Sequence, residues 1–429
     1  MTCLYLYSFL LLSLSAPPDV VLLSVDTLRA DYLGCYGYPQ DSSPHLDQFA
    51  KGALVFEDCV CEVPLTNPSF GAMLSSLYPR TTGTTRNGLR MPDSVPLVPE
   101  RFKAAGYQTL CVQSNWTLKG RLSGLDRGFD VYEDDFHQKR WGFMKAERLA
   151  EDVTDIALKL LAERDPARPL FAWIHYSDPH SPYRFNKDHN PLGKRPFWLD
   201  GTQKVRVKYA SEVAYADYHI GRLLDALPQK NTAILFVADH GESLYEHDYL
   251  GHGRRIYHDN LHVPLMIRAA GVQPGRTSVP ARVLDVGPTL LGLAGLPPLP
   301  GTRVANVLDA EMGVSNDLVP SRVRVVETYG GAVPKIPGAK AVMAGRAPIR
   351  QGVVVQGWKL ILGGSGPELF SLPQDPYELD NLASDMPGKV AELARIIDAW
   401  DKRYGHAQGS EAALSKDDIK ALESLGYLD

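Results

Sequence analysis

D-V-V-L-L-S-V-D, residues 19–26, is an unbroken apolar run that ends on a carboxylate. It is rich in valine and shows no polar alternation, as a strand buried on both faces of a parallel sheet requires. The same design returns twice: L-F-A-W-I-H-Y (170–176) runs into S-D-P-H-S-P-Y, and A-I-L-F-V-A (233–238) runs into D-H-G-E (239–242). Between these runs lie helical stripes, with Leu149, Val153, Ile156 and Leu160 in 143–163 and Tyr209, Val213, Ala216, Ile220 and Leu223 in 205–227. Shorter elements are expected as a helix at Leu46–Lys51, a strand at Ala53–Phe56, a helix at 97–105 and a strand at 107–112. Buried strands alternating with amphipathic helices predict a doubly wound, mostly parallel α/β sheet. In such a sheet the carboxyl ends of the strands meet at one edge, where ligands bind. Asp26, Asp178 with His180, and Asp239 with His240 are expected there.

The remaining features bound the class of protein. A chain of 429 residues can bury a large core. Its net charge of -5, with Lys and Arg spread along the chain, carries no basic footprint for nucleic acid. Residues 3–14 are apolar but too few to span a bilayer. Small residues and Pro17–Pro18 follow, so residues 1–16 read as a signal peptide, although no Lys or Arg precedes the run. That reading predicts a periplasmic or secreted protein, with the cytoplasm as the alternative. Five cysteines, at 3, 35, 59, 61 and 111, are too few for a disulfide scaffold and leave room for one bridge. Past residue 320 the texture changes to short β runs and a helix carrying Val390, Leu393, Ile397 and Trp400 on one face. The expected division is a catalytic domain over 17–320, a small antiparallel sheet-plus-helix subdomain over 321–405, and a tail helix within 406–429.

V-P-L-T-N-P-S-F-G-A-M-L-S-S-L-Y-P (63–79) predicts a helix with Asn67 as N-cap, Pro68 in the first turn and Pro79 as its stop. Thr66 then precedes a helix N-terminus, where free N–H groups and the dipole favour an anion. A hydroxyl aimed at an anion is the layout of a nucleophile for phosphorus or sulfur, though most capped helices are only structural. An alcohol needs help to attack at neutral pH, and a cation supplies it. Asp26, Asp239 and His240 offer two carboxylates and an imidazole, a donor set for one divalent cation such as zinc, manganese or calcium, with Thr66 as a further ligand. Asp178 and His252 leave room for a second.

Several stretches resemble the sulfatase family of the alkaline phosphatase superfamily: V-D-T-L-R-A-D-Y-L-G-C-Y-G-Y (25–38), P-S (68–69), D-P-H-S-P-Y (178–183), A-D-H-G-E (238–242), G-H-G (251–253), W-K-L-I (358–361) and D-P-Y-E-L-D-N-L (375–382). The similarity runs in order from about residue 18 to 405. It implies one site at the sheet edge, with Asp26, Asp239 and His240 on metal-ligand positions. It puts His180 on a histidine that contacts the transferred group and His252 where many sulfatases place a lysine. Both are implied as catalytic partners of a charged ester, one of them as proton donor. A plain loop role for His252 would have it held by Glu246 or Asp248. His247, His258 and His262 read as packing or supporting residues.

The pattern also breaks. The family's C/S-x-P-S-R, whose first residue becomes formylglycine, reads T-N-P-S-F here, with Thr66 and Phe70 at its ends. A second ligand aspartate is replaced by Thr27, and the G-K-W-H segment by S-N-W-T-L-K (114–119), so Lys119 is not carried over. A threonyl ester must be cleaved by water, which favours a phosphate ester, phosphodiester or phosphonate over a sulfate. The alternatives are a sulfuric ester hydrolase acting without formylglycine, a phospho-group transferase, and a binding protein that kept the fold. The expected substrate is a small-molecule, glycan or lipid-headgroup ester, read by the loops at 114–145 and 184–204 and the C-terminal subdomain. No nucleic-acid partner, no stable membrane span and no particular oligomeric state is read from the chain.

Overall fold

The computed structural model describes residues 16–135, 139–140, 143–144, 147–194, 197, 199–302, 304, 306–308, 322–330, 347–411 and 414–424. The signal-peptide reading therefore lies outside the described residues except for Ala16. Eight strands form the main sheet: β1 (Asp19–Val25), β2 (Leu54–Phe56), β3 (Gln108–Val112), β4 (Val131–Glu133), β5 (Leu170–Tyr176), β6 (Thr232–Ala238), β7 (Leu265–Arg268) and β8 (Gly275–Thr277). Their order is β8-β2-β7-β6-β1-β5-β3-β4. Pairing is parallel except where β7 meets β6 and β2. Every residue of β5 and β6 is buried, which explains their unbroken apolar sequence.

Register fixes what happens at the edge. Val25 lies opposite Ala238 on one side and Tyr176 on the other. The chain therefore leaves β6, β1 and β5 at one level, and Asp239, Asp26 and Ser177 are neighbours by construction. The helices α1 (Pro44–Ala50), α2 (Thr66–Ser75), α3 (Val98–Ala104), α4 (Ala150–Ala162) and α5 (Gly201–Ala226) follow the expected order. The predicted stripe of α5 is buried throughout, from Tyr209 to Leu223.

The start and end of α2 differ from expectation. Asn67 is not the N-cap: its side chain donates to Leu89 O at 2.6 Å and its N–H to Asn87 Oδ1 at 2.9 Å, so it is committed elsewhere. Leu65 holds the extended cap position (φ -147°, ψ 139°), and its carbonyl accepts the first helical bond from Ser69 N at 2.9 Å. Thr66 thus sits at the first helical residue rather than before it. The helix ends at Ser76, in a left-handed conformation (φ 58°), and Pro79 opens a separate turn, Pro79–Thr82.

The C-terminal part is the expected small antiparallel sheet: β9 (Arg324–Thr328), β10 (Arg350–Val355), β11 (Trp358–Gly363) and β12 (Glu368–Ser371), in that order. Helix α6 (Pro387–Arg403) buries Leu393, Ile397 and Trp400 in a core shared with Ala72, Tyr78 and Leu284 of the first part. A tail helix, α7 (Lys416–Ser424), follows. Among the described residues no helix is long and apolar enough to cross a membrane, and the four described cysteines are free.

Candidate active site

Asp26, at the end of β1, and Asp239 and His240, at the end of β6, each place one ligand atom within 4.8 Å of the others, and all three are buried. His240 Nε2 lies 3.7 Å from Asp26 Oδ1 and 3.5 Å from Asp239 Oδ2. Among the described residues those two oxygens have no hydrogen-bond partner. Buried carboxylate oxygens are costly to leave unpaired. The other oxygens are satisfied: Asp239 Oδ1 accepts from His240 N at 2.8 Å and Thr27 N at 3.2 Å, and Asp26 Oδ2 from Asn115 Nδ2 at 2.5 Å. The tautomer of His240 is set as well. Its Nδ1 lies 2.9 Å from the carbonyl of Gly241, which can only accept, so Nδ1 carries the proton and Nε2 offers its lone pair. Two orphaned oxygens facing an imidazole lone pair fit a divalent cation.

Electrostatics agree with that fit. Burial, helped by neighbouring His252, holds the His240 imidazolium down to about 3, so the ring is neutral. Burial pushes both carboxyls up. For Asp26 the neighbouring His175 and the charge of His180 outweigh it and leave the group below the usual carboxylate range. For Asp239 the charge of Asp26 adds to burial and raises it well above that range. One ionised and one proton-holding carboxyl is how such a pair behaves until a cation offsets their repulsion.

Thr66 Oγ1 lies 3.5 Å from His240 Nε2, beside this donor set. Ser69, one turn on, donates to Asp239 O at 2.7 Å and ties α2 to the end of β6. His252 lies between two other imidazoles, its ring centre 4.5 Å from that of His240 and 5.2 Å from that of His180, tilted to both. Its Nδ1 is held by Glu242 Oε1 at 3.1 Å. Glu246 and Asp248 do not hold it, because Glu246 is taken by Arg29, Arg206 and Leu244 N. His180 Nδ1 lies 2.6 Å from Glu147 Oε1. Burial would lower this histidine, but Glu147 and Asp26 outweigh it and raise it to about 10, so His180 is a cation at neutral pH.

The other sequence candidates fall outside the cluster. Asp178 Oδ2 accepts from Ala150 N at 2.8 Å, at the start of α4. Lys119 Nζ donates to Asp134 O at 2.7 Å and lies over the Trp116 ring. Thr27 bonds to Asp239 through its backbone and has a positive φ of 54°, a strained conformation for a β-branched residue. Phe70 is packed on Trp173 and His175. His247 stacks on Tyr257, and His258 on His262, as packing residues do.

Four residues were not singled out from sequence: Asn115, Glu147, His175 and Glu242. Asn115 follows β3 by three positions, so the strand-end rule that found Asp26 reaches it. Glu242 completes the D-H-G-E run, and His175 sits in the β5 run itself. Glu147 lies in an irregular stretch with no periodicity to mark it.

A family model for sulfatases matches residues 18–296 of the chain. The ulvan-active sulfatase of Formosa agariphila is 30% identical over 321 residues, which cover 65% of this chain and 62% of that protein. The choline-sulfatase of Rhizobium meliloti is 26% identical over 475 residues, covering 91% and 86% respectively. The match thus spans less than two thirds of the first relative and most of the second. Among solved structures, a 2-O GAG sulfatase superposes with a TM-score of 0.72 at 18% identity, over 91% of this chain and 93% of its own. The phosphonate monoester hydrolase of Agrobacterium radiobacter does so at 0.70 and 18%, over 90% and 96%. At these identities the superpositions establish a shared fold.

Proposed function

The chain belongs to the sulfatase family, and from that premise we propose that it hydrolyses an ester through Thr66, with a phosphate ester, phosphodiester or phosphonate preferred over a sulfate. The observation that carries this reading is the position of Thr66 Oγ1, 3.5 Å from the nitrogen that completes the Asp26, Asp239 and His240 donor set. A divalent cation held by those three residues supplies Lewis-acid charge that favours ionisation of an adjacent hydroxyl and offsets negative charge on the transferred group. The hydroxyl of Thr66 loses its proton to solvent and its oxygen bonds to phosphorus, while the bond to the substrate's alcohol oxygen breaks. His252, which lies between His240 and His180, hands that oxygen a proton. His180, kept cationic by Glu147, faces the charge of the transferred group. Water then attacks the threonyl ester at phosphorus: one of its protons returns to His252, the bond from phosphorus to the Thr66 oxygen breaks to release the acid, and that oxygen recovers its proton from solvent.

Residue 66 decides the preference. A formylglycine hydrate carries a second hydroxyl that can expel sulfate, whereas threonine has none and depends on water at the central atom. The fold does not choose, since it houses sulfatases and a phosphonate monoester hydrolase alike. A glycan or lipid-headgroup ester met outside the cytoplasm is the substrate class that goes with this reading.

The test compares an aryl sulfate, phosphate monoester, phosphodiester and phosphonate monoester with one leaving group, in zinc, manganese or calcium. A phosphorus ester should be cleaved fastest, and Thr66→Ala should abolish turnover. Preference for the sulfate would overturn the choice of phosphorus, and full activity in Thr66→Ala would remove the nucleophile. Asp239→Ala should lose both bound cation and activity; retention of both would sink the site.

A further inference from the structure

The C-terminal tail, which lies beyond the residues matched by the family model, touches the segments that stand behind Thr66 and behind Asp26. At its near end Ala407 N donates to Arg80 O at 2.8 Å, and Ser410–Glu411 pair antiparallel with Leu89–Arg90. The carbonyl of Leu89 is the acceptor for Asn67 Nδ2 at 2.6 Å, and Asn67 follows Thr66. At its far end, on α7, Asp418 is fully buried. Its Oδ1 accepts from Trp116 Nε1 at 2.8 Å, and its Oδ2 accepts from Arg121 at 2.5 Å and from Ser415 N at 2.8 Å. A buried carboxylate holds its place only through such partners, and both partners outside the tail come from one turn, 116–121.

That turn begins at the residue that touches Asp26. Asn115 Oδ1 accepts from Thr117 N at 2.9 Å and Thr117 Oγ1 at 2.8 Å, which leaves Nδ2 to donate to Asp26 Oδ2 at 2.5 Å. The backbone of Asn115 also bridges to Glu147, the partner of His180. Oriented second partners of a metal ligand set its affinity, so what fixes Asn115 acts on the ligand it holds.

We propose that the tail is a strap that positions the cation site: Asp418 fixes the Trp116 turn so that Asn115 stays on Asp26, while Ser410–Glu411 hold the strand that secures Asn67 beside Thr66. This rests on the reading of Asp26 as a metal ligand. Asp418 is a positioning residue, acting through Trp116 and Asn115.

The experiment measures Mn2+ affinity by calorimetry on the full chain, with the thermal midpoint read for each variant. Asn115→Ala should weaken Mn2+ binding about tenfold, the lower end for outer partners of a metal ligand. Asp418→Ala should weaken it in the same direction, and the double variant should bind no worse than Asn115→Ala alone, because the two act in series. Asp418→Asn keeps an acceptor for Trp116 Nε1 and should retain most of the affinity. Should Asp418→Ala fail to fold, Trp116→Phe removes the N–H while leaving a smaller aromatic ring in place, and should show the same loss. Wild-type Mn2+ affinity in Asp418→Ala and Trp116→Phe would overturn the strap, as would losses that simply add. Mn2+ uptake abolished by Asp239→Ala reports the site itself, so a failed strap and a failed site are told apart. A wild-type chain that takes up no Mn2+ overturns both.

Discussion

At residue 70 the family's arginine is replaced by a ring that packs on other rings. Phe70 is fully buried, its ring 4.9 Å from that of Trp173 and 4.7 Å from that of His175. Trp173 Nε1 donates to Ser24 Oγ at 2.9 Å, and that hydroxyl lies 3.0 Å from His175 Nδ1, so Ser24 ties together the two rings that Phe70 packs on. Truncation there opens a cavity: Phe70→Ala should cost about 3–5 kcal/mol, read by urea denaturation. Phe70→Arg should be no better tolerated, because a longer, charged side chain must be forced among closely packed rings. Glu62, four residues before Thr66, makes a second prediction at this scale. Burial, opposed by Arg282 and aided by Asp285, raises its carboxyl to about 8, and Glu62 Oε2 has no partner. A raised acid contributes stability that is complete below the unfolded value near 4.5 and is lost as pH climbs through about 8. Denaturation midpoints should therefore fall between pH 5 and 8, and Glu62→Gln should flatten that slope; an unchanged slope would place the proton elsewhere.

Strands and helices bring the residues together through register, and register explains what could be read from the chain. Three unbroken apolar runs ending in Asp or Asp-His identified β1, β5 and β6, and their pairing put Asp26 beside Asp239 with no side-chain information needed. The cap of α2 was misread by two residues because Asn67, a good capping type, is used by the 87–89 segment, a long-range contact no local rule contains. Glu147 and Asn115 were missed for a related reason: each matters through a partner distant in sequence, His180 and Asp26. Element packing also carries a prediction. Ser69 Oγ donates to Asp239 O across 170 positions, so α2 and β6 share one buried bond at the site. Ser69→Ala should cost roughly 1–3 kcal/mol, since it strands a buried carbonyl, and should loosen Thr66 from the donor set. The check is a lowered kcat with Mn2+ affinity little changed; an unaltered kcat would mean that β6 and α2 are aligned by other contacts.

At the scale of the whole molecule the two sheets meet through Arg80, in the Pro79–Thr82 turn just after α2. Its guanidinium pairs with Glu327 on β9 and, at 2.6 Å, with Asp401 on α6, donates to Tyr404 O at 3.0 Å and lies 4.1 Å over the Trp400 ring. Arg80 and Glu327 are both buried, whereas Asp401 is partly exposed. Taking such a pair out of water costs nearly what it returns, so its presence says little about net stability. Removing one partner is different. Among the described residues Arg80→Ala leaves the buried carboxylate of Glu327 with Tyr329 and Gln351 as its side-chain donors, and should cost about 3–5 kcal/mol. The loss should be directional, because every partner of Arg80 named here lies in the C-terminal part while the turn that carries it continues from the nucleophile helix. Thermal unfolding of Arg80→Ala should then split, with β9–β12 and α6 releasing before the main sheet. Replacing both members by apolar groups, as in Arg80→Met with Glu327→Met, should recover most of the loss and restore a single transition. A single transition in Arg80→Ala at the wild-type midpoint would show that the shared core around Tyr78 and Trp400 joins the two sheets without the ion pair.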